Sequence, residues 1–299
     1  MPHHDYIGID LGGTTVTAGL VRNGEITVLK TVPTGRHRPP RDIFETIAEI
    51  IGETAADSKI DGIGVGVPVP AGPETVSLEP SDNLPTLGGF QLKTELETRF
   101  GVSVVLENDA RCMTLGELRA GALKGCSACV CMTLGTGLGC GIVIDGSLYR
   151  GGRYFAGEIW LIPRGDGTTQ EDAAAVRGIE AAYRSLAGET VPPHVIYERY
   201  TRGEEEAVNA FLRYGASVGG VIVMVIAVLD PERVALGGGL ARAYDAFKPG
   251  MIEAVTGSLG EDAAAIIVPA ALSDKAAVIG AAALIKEIVE SEADKLPLK

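Results

Sequence analysis

Positive charge is scarce in this sequence. Lys and Arg number 26 against 39 Asp and Glu, which gives a formal net charge of −13. A nucleic-acid-binding role is therefore disfavoured, because so acidic a chain offers no basic face to neutralise phosphates. Runs of five or six like charges, which mark interaction tails, are also missing.

Long hydrophobic runs are missing too. The longest apolar segment, residues 218–229, is interrupted by Gly219 and Gly220 and is too short to cross a bilayer. It predicts a buried core helix, and no membrane partner is expected. The first strand starts within a few residues of Met1, without a signal peptide or a helix-turn-helix module before it. We therefore expect a cytoplasmic protein.

Cysteines are few, and their number is odd. Five cysteines in a chain without a secretion signal argue against a disulfide framework. Cys126, Cys129 and Cys131 raise the alternative of a metal cluster. Because Cys129 and Cys131 lie on one face of a predicted strand and no histidine is near them, buried thiols are the better interpretation.

At 299 residues, of which 46% are apolar, the chain is long enough for two folded domains.

The clearest motif of the chain, the first hairpin, is a strand ending at Asp10, a turn of small residues and a returning strand. That turn contains Gly12, Gly13, Thr14 and Thr15. The glycines let the backbone approach an anion, and the threonines add hydroxyl donors. An ordinary hairpin with a Gly-rich bend is an equally good interpretation of this motif alone.

The same pattern recurs as a second hairpin at residues 128–146. A strand, the turn Gly135-Thr136-Gly137, a returning strand and Asp145-Gly146 repeat the order that ends at Asn23-Gly24 in the first hairpin. We therefore predict two related α/β halves, facing each other across a cleft that holds nucleotide phosphates. The repeat carries Thr133 in place of Asp10, so only the first hairpin has an acid that could hold Mg²⁺, directly or through water.

Two further segments carry polar or flexible residues at strand ends. A predicted strand at 102–106 delivers Asn108 and Asp109, where open α/β sheets place their ligands. A second strand ends in Gly237-Gly238-Gly239, against which a flat ligand could lie. Phosphoryl transfer needs a carboxylate to deprotonate the acceptor hydroxyl, and Asp109 is the candidate. The alternative role of Asp109 is a cap of the following helix.

Five ordered motifs resemble those of the ROK family of bacterial glucokinases, other sugar kinases and sugar-responsive repressors. They are residues 10–14, residues 107–110 with Gly116-Glu117, residues 134–139, residues 157–159 and residues 236–239. The resemblance covers nearly the whole chain and implies the two-domain actin-like ATPase (ribonuclease H-like) α/β fold, with ATP and Mg²⁺. It implies Asp109 as the base, sugar contacts from Asn83, Asn108 and Glu158, and by a loose alignment Glu171.

The chain departs from the family pattern after Glu158. The family usually continues with glycine and histidine and then a cysteine-rich zinc loop, whereas this chain has Trp160, Leu161 and no cysteine in residues 163–171. No zinc site is expected, because its ligands are missing. Glucose as the substrate becomes doubtful. Trp160 could stack on a sugar or pack within the shortened loop.

The leading interpretation is a kinase that phosphorylates a hexose or hexose-like hydroxyl, an amino sugar or cyclitol included. A non-catalytic sugar-binding regulator and an actin-like ATPase without a sugar substrate are the alternatives. ATP or polyphosphate could be the donor. The expected small domain comprises residues 1–113 with the helix in 276–299, and the large domain comprises residues 114–275. A homodimer is expected from the resemblance only.

Overall fold

A computed structural model describes residues 4–295. Its contacts separate the described chain into two compact units. Unit 1 contains the residues up to Lys124, Leu148–Ala156 and the residues from Asp274 onward; unit 2 contains Gly125–Ser147 and Gly157–Ser273. The predicted domain boundaries, including residues 296–299 outside the described range, stay a prediction.

Unit 1 is built on a five-stranded sheet. Its strands are β1 (Asp5–Leu11), β2 (Thr15–Arg22), β3 (Glu25–Pro33), β4 (Gly62–Val67) and β5 (Ser103–Asn108). The order is β3-β2-β1-β4-β5, with antiparallel pairing from β3 to β1 and parallel pairing from β1 to β5. The parallel strands β1 and β4 are buried along nearly their whole length because both faces of the sheet are covered, and β4 has only apolar residues.

The helices of unit 1 pack on this sheet. They are α1 (Pro40–Ala55), α2 (Leu92–Phe100), α3 (Asp109–Ala120) and α10 (Ala276–Lys295), which contacts β1, β4 and α3. Apolar residues recur at helical spacing in α1, and Ile43, Ile47, Ile50 and Ile51 are buried in the core. The carboxyl ends of β1, β4 and β5 therefore emerge from a well-packed layer.

Unit 2 contains most of a second sheet with the corresponding order. The strands are β6 (Cys129–Leu134), β7 (Leu138–Ile144), β8 (Ser147–Tyr149), β9 (Arg233–Gly237) and β10 (Ile267–Pro269). Their order is β10-β9-β6-β7-β8. Read from the other edge, β8-β7-β6-β9-β10 corresponds strand by strand to β3-β2-β1-β4-β5 of the first sheet. Asn23-Gly24 and Asp145-Gly146 all have positive φ, as tight hairpin turns require. The predicted internal repeat is confirmed.

The helices of unit 2 include one long apolar helix. They are α4 (Gln170–Ala174), α5 (Val176–Ala187), α6 (Pro193–Thr201), α7 (Glu205–Leu229), α8 (Tyr244–Leu259) and α9 (Glu261–Ala265). The expectation that this segment is too short to cross a bilayer was wrong, because residues 218–229 belong to α7, which is long and apolar enough to do so by length and composition. One face of α7 is nevertheless buried against α5 and α8, as a core helix requires.

All five cysteines are buried thiols that take no part in a disulfide, as predicted. Burial, followed by the neighbouring Cys126, raises the pKa of the Cys129 thiol to about 12. Cys129 therefore remains a protonated, apolar side chain at neutral pH.

Candidate active site

The first hairpin has a hydrogen-bonded loop with exposed hydroxyls. The Gly12 N–H donates to the Thr15 carbonyl at 3.0 Å. Buried Thr34 braces the loop from outside: its N–H donates to the Thr14 carbonyl at 2.9 Å and its hydroxyl to the Gly12 carbonyl at 2.6 Å. Thr14 and Thr15 remain exposed. The sequence analysis missed Thr34, which has no motif of its own.

The structure brings Asn83 to the first hairpin. A Cβ at position 13 would lie 2.7 Å from the Asn83 carbonyl oxygen, so glycine at this position allows the two backbones to approach. Asn83 is exposed, and the Leu84 N–H that follows it donates to the Ser81 hydroxyl at 3.1 Å. Asn83, predicted to bind sugar, thus lies beside residues predicted to bind phosphate.

Asp10 occupies the carboxyl end of β1 and is half-buried. Burial, and to a smaller extent the carboxylate of Asp274, raises the pKa of Asp10 to about 6. A divalent cation here would offset both effects. Among the side chains that the structure describes, no three of His, Cys, Asp or Glu converge as a metal-binding group. One carboxylate with water and substrate phosphates is the way that Mg²⁺ is usually held, so Asp10 fits a magnesium ion that arrives with a nucleotide.

Asn108 and Asp109 lie at the junction of β5 and α3. The Asn108 side chain caps α3 by accepting a hydrogen bond from the Arg111 N–H at 3.2 Å. Asp109 Oδ1 accepts from Asn108 Nδ2 at 3.1 Å and from the Ala110 N–H at 2.8 Å. The alternative interpretation of Asp109 as the helix cap was wrong, because Asn108 has that position. The two hydrogen bonds hold the half-buried Asp109 carboxylate in one orientation.

The strand register places Asp10 and Asn108 at the same edge of the sheet. Asp10 pairs with Gly66 on β4, and Gly66 pairs with Glu107 on β5. Two strand spacings separate β1 from β5, roughly 10 Å. The pKa of the buried Cys112 thiol reflects this acidic edge. Burial, and then the carboxylates of Glu107, Asp109 and Asp10, raise it well above the usual value. Unit 1 therefore contains, at one edge of its sheet, both Asp10, the predicted Mg²⁺ ligand, and Asp109, the predicted base.

A buried ion network supports this junction. The Arg111 side chain is fully buried and donates to Glu107 Oε1 at 3.3 Å and to the Ala71 carbonyl at 2.9 Å. Its second terminal nitrogen donates to the carbonyls of Tyr154 and Ala156 at 2.6 and 3.1 Å. Arg150 also donates to Glu107, at 2.5 Å. Sequence reasoning missed this network, because Glu107 lies on β5 and Arg111 on α3, so the rule for i,i+4 pairs on one helix does not apply to them.

In unit 2, the second hairpin is braced by α4 and α5. The Gly135 N–H donates to the Gly137 carbonyl at 3.0 Å, and the Val176 N–H donates to the Gly135 carbonyl at 2.9 Å. Glu171 Oε2 accepts from the Leu138 N–H at 3.2 Å. The structure therefore places Glu171, predicted as a sugar contact, directly on the hairpin predicted to bind phosphate. Thr136 at the tip is exposed.

The glycine loop after β9 lies beside the second hairpin. Gly238 has a φ of 85°, and a Cβ there would lie 2.5 Å from the Leu134 carbonyl oxygen. Glycine is required at position 238 on both grounds. Gly238 and Gly239 are exposed, whereas Gly237 is buried at the end of β9. Unit 2 thus brings together the second hairpin and the glycine loop.

Glu158 is half-buried in unit 2, after β8 and before a 3₁₀ turn at Ile159–Leu161. Its Oε2 accepts a hydrogen bond from Trp160 Nε1 at 2.5 Å. Leu161, which the sequence analysis predicts to stand in place of the family's histidine, is exposed. The carboxylate that is predicted to bind sugar therefore accepts a hydrogen bond from the indole of Trp160.

Comparison with known proteins gives consistent matches along the chain. The model of the ROK family matches residues 6–288. The chain is 30% identical to the glucokinase of Thermotoga maritima over 313 residues, covering 96% of this chain and 99% of that protein. It is also 30% identical to the N-acetyl-D-glucosamine kinase of Vibrio cholerae, covering 80% and 85% of the two chains.

A solved structure matches with similar coverage. The ROK family glucokinase of Streptomyces griseus, determined in complex with glucose and AMPPNP, superposes with a TM-score of 0.83 at 25% identity. The match covers 95% of this chain and 99% of that structure.

Proposed function

This chain belongs to the ROK family, has the actin-like ATPase fold and is a sugar kinase that uses ATP, and from that premise we propose how its residues divide the reaction. The acceptor is a hydroxyl of a hexose or hexose-like sugar, and Asp109 is the general base. Asp10 holds Mg²⁺, directly or through water. The residues of both hairpins and the Gly237–Gly239 loop bind the nucleotide.

The observation that carries this proposal is the placement of Asp109. Its carboxylate lies at the carboxyl end of a parallel strand and is oriented by hydrogen bonds from Asn108 Nδ2 and the Ala110 N–H. A carboxylate fixed in this way can accept the proton of a sugar hydroxyl as the oxygen attacks phosphorus.

The donor side is supported by the geometry of Asp10 and the hairpins. Bound Mg²⁺ would neutralise charge that develops on the phosphate oxygens during transfer. Asp10 contributes a carboxylate whose charge is disfavoured by burial, so cation binding is coupled to its deprotonation. The exposed hydroxyls of Thr14, Thr15 and Thr136 provide donors for phosphate oxygens.

On the acceptor side, we assign sugar contacts to Asn83, Asn108 and Glu158. The Asn108 side chain already caps α3, which limits how it can turn toward a ligand. Glu171 stays a prediction as a sugar contact, since its hydrogen bonds run to the second hairpin and to Arg177. The replacement of the family histidine by Leu161 makes the identity of the sugar an experimental question.

The test is a panel of glucose, mannose, N-acetylglucosamine, N-acetylmannosamine and cyclitols with Mg-ATP, measured by ADP release. We expect sugar-stimulated release that Asp109→Asn lowers about 10²–10⁴-fold. Asp57→Asn, the same chemical change at an exposed position of unit 1, is the matched control. A polyphosphate arm determines whether ATP is the only donor.

Two other outcomes would redirect the assignment. Sugar binding by calorimetry without any turnover would support the regulator. ADP release that is independent of every sugar would support an actin-like ATPase. Undiminished sugar phosphorylation by Asp109→Asn would remove Asp109 from the role of base.

A further inference from the structure

The only tryptophan of the 299-residue chain lies beside a predicted sugar-binding carboxylate. Trp160 Nε1 donates to Glu158 Oε2 at 2.5 Å. An indole N–H can only donate, and an ionised carboxylate can only accept, so the bond has a single polarity. Charge-assisted bonds of this kind are short and about twice as strong as neutral ones.

The backbone around this pair is fixed independently of the two side chains. Gly157 has a φ of 88°, and a Cβ there would collide with the Cys140 carbonyl oxygen on β7. The Ile159 N–H donates to the Gly157 carbonyl at 2.7 Å, and the Ile162 N–H donates to the Ile159 carbonyl at 3.1 Å. The Cα atoms of Glu158 and Trp160 therefore have defined positions, and the indole reaches Glu158 from a short, ordered turn.

We propose that Trp160 is a positioning residue that sets the orientation of Glu158 toward the hydroxyls of the sugar. The inference rests on the proposed function, because it takes Glu158 as a sugar contact. A glutamate has three side-chain torsions, and ordering them on binding weakens affinity. The rigid indole orders the carboxylate before the sugar arrives. In this chain the tryptophan thus replaces, by a different contact, the polar side chain that is missing at Leu161.

If Trp160 positions Glu158, its replacement should change the sugar KM and leave the other kinetic constants nearly unchanged. Trp160→Phe keeps an aromatic ring but removes the N–H donor, and we expect the sugar KM to rise roughly 10-fold. The values of kcat and of KM for ATP stay within about twofold, because Glu158 binds the acceptor and takes no part in proton transfer. Trp160→His retains a ring N–H, and its sugar KM should lie between those of the wild type and Trp160→Phe.

Monodeoxy analogues of the best sugar in the panel test the chemistry of the contact. An analogue that lacks the hydroxyl facing Glu158 has already lost the interaction that Trp160 supports. Trp160→Phe should therefore not weaken that analogue further, while it weakens the others about 10-fold.

Tryptophan fluorescence provides a readout that does not need turnover. Because Trp160 is the only tryptophan, all indole emission comes from this site. Replacing the carboxylate in Glu158→Gln should change the wavelength or intensity of emission in the absence of ligands, and sugar should change wild-type emission saturably. Tyr197→Phe, which removes a hydroxyl from an exposed aromatic residue of α6, is the matched control for both kinetics and emission.

Two results would overturn the inference: a Trp160→Phe enzyme with unchanged sugar KM, or emission that is identical in the wild type and Glu158→Gln. If Trp160→Phe fails to fold by circular dichroism, Trp160→His and the emission of Glu158→Gln decide instead. If the wild type phosphorylates no sugar, the proposed function fails. The inference fails as well only if no sugar changes the tryptophan emission of the wild type.

Discussion

The two hairpins have the same strand topology but differ in where their carboxylate comes from. The first hairpin carries its own acid, Asp10, as part of strand β1. The second hairpin has Thr133 at the matching position and receives the carboxylate of Glu171 from helix α4. The loop is also shorter in the second hairpin, since Leu11 pairs with Val16 in the first and Leu134 pairs with Leu138 in the second.

The environments of the two acids differ as much as their origins. Burial and Asp274 disfavour the charge on Asp10 and raise its pKa. Glu171 is stabilised by the Leu138 N–H and by Arg177, whose terminal nitrogen lies 2.6 Å from Oε1. An acid kept in an unfavourable environment suggests a functional use, such as cation binding, whereas a paired acid serves to hold a loop. The predictions below test this distinction.

Among the changes to these two acids, the largest expected effect is the loss of activity in Asp10→Asn. The amide keeps the shape of the side chain but removes the negative charge that we assign to Mg²⁺. We expect kcat with Mg-ATP and the best sugar to fall about 10²–10³-fold, measured by ADP release over a magnesium titration. Asp57→Asn should remain at the wild-type level. A kcat for Asp10→Asn within a few-fold of wild type would separate Asp10 from the metal.

The same substitution should increase stability, in a pH-dependent manner. Because the folded pKa of Asp10 is raised from 3.8 to about 6, the folded state holds this proton more tightly than the unfolded chain does. The stability that comes from this proton is fully present below pH 3.8 and is lost as the pH rises through about 6. Without ligands, Asp10→Asn should exceed the wild type by roughly 1–3 kcal/mol above pH 6.

The measurement is the difference in free energy of unfolding between wild type and Asp10→Asn across this pH range, in chelator. Taking the difference removes the titration of groups that both proteins share. The advantage of the variant should disappear below pH 3.8. An advantage that is equal at every pH would indicate a packing effect instead of an ionisation effect.

The repeat was predictable from sequence because it depends on local chemistry. A single chain shows the pattern directly: an apolar strand, a glycine-containing turn, a returning strand and an Asn-Gly or Asp-Gly pair follow one another in order. The contacts that brace each hairpin left no such pattern. Thr34 reaches Gly12 across 22 positions and Glu171 reaches Leu138 across 33, so both contacts depend on tertiary packing. The buried Arg111 was hidden for the same reason, as its partners include the carbonyls of Ala71 and Tyr154.

The smallest expected effect concerns Glu171, which connects the comparison to substrate binding. Glu171→Gln removes the ion pair with Arg177 and replaces a charge-assisted bond to the Leu138 N–H by a neutral one. Such a change weakens the support of the second hairpin by about 1 kcal/mol, so the KM for ATP should rise roughly fivefold while the sugar KM stays near the wild-type value. Arg177→Gln, which leaves the bond to Leu138 in place, should have less effect. A rise in the sugar KM alone would instead assign Glu171 to the acceptor, because the carboxylate would then act on the sugar and leave the hairpin unchanged.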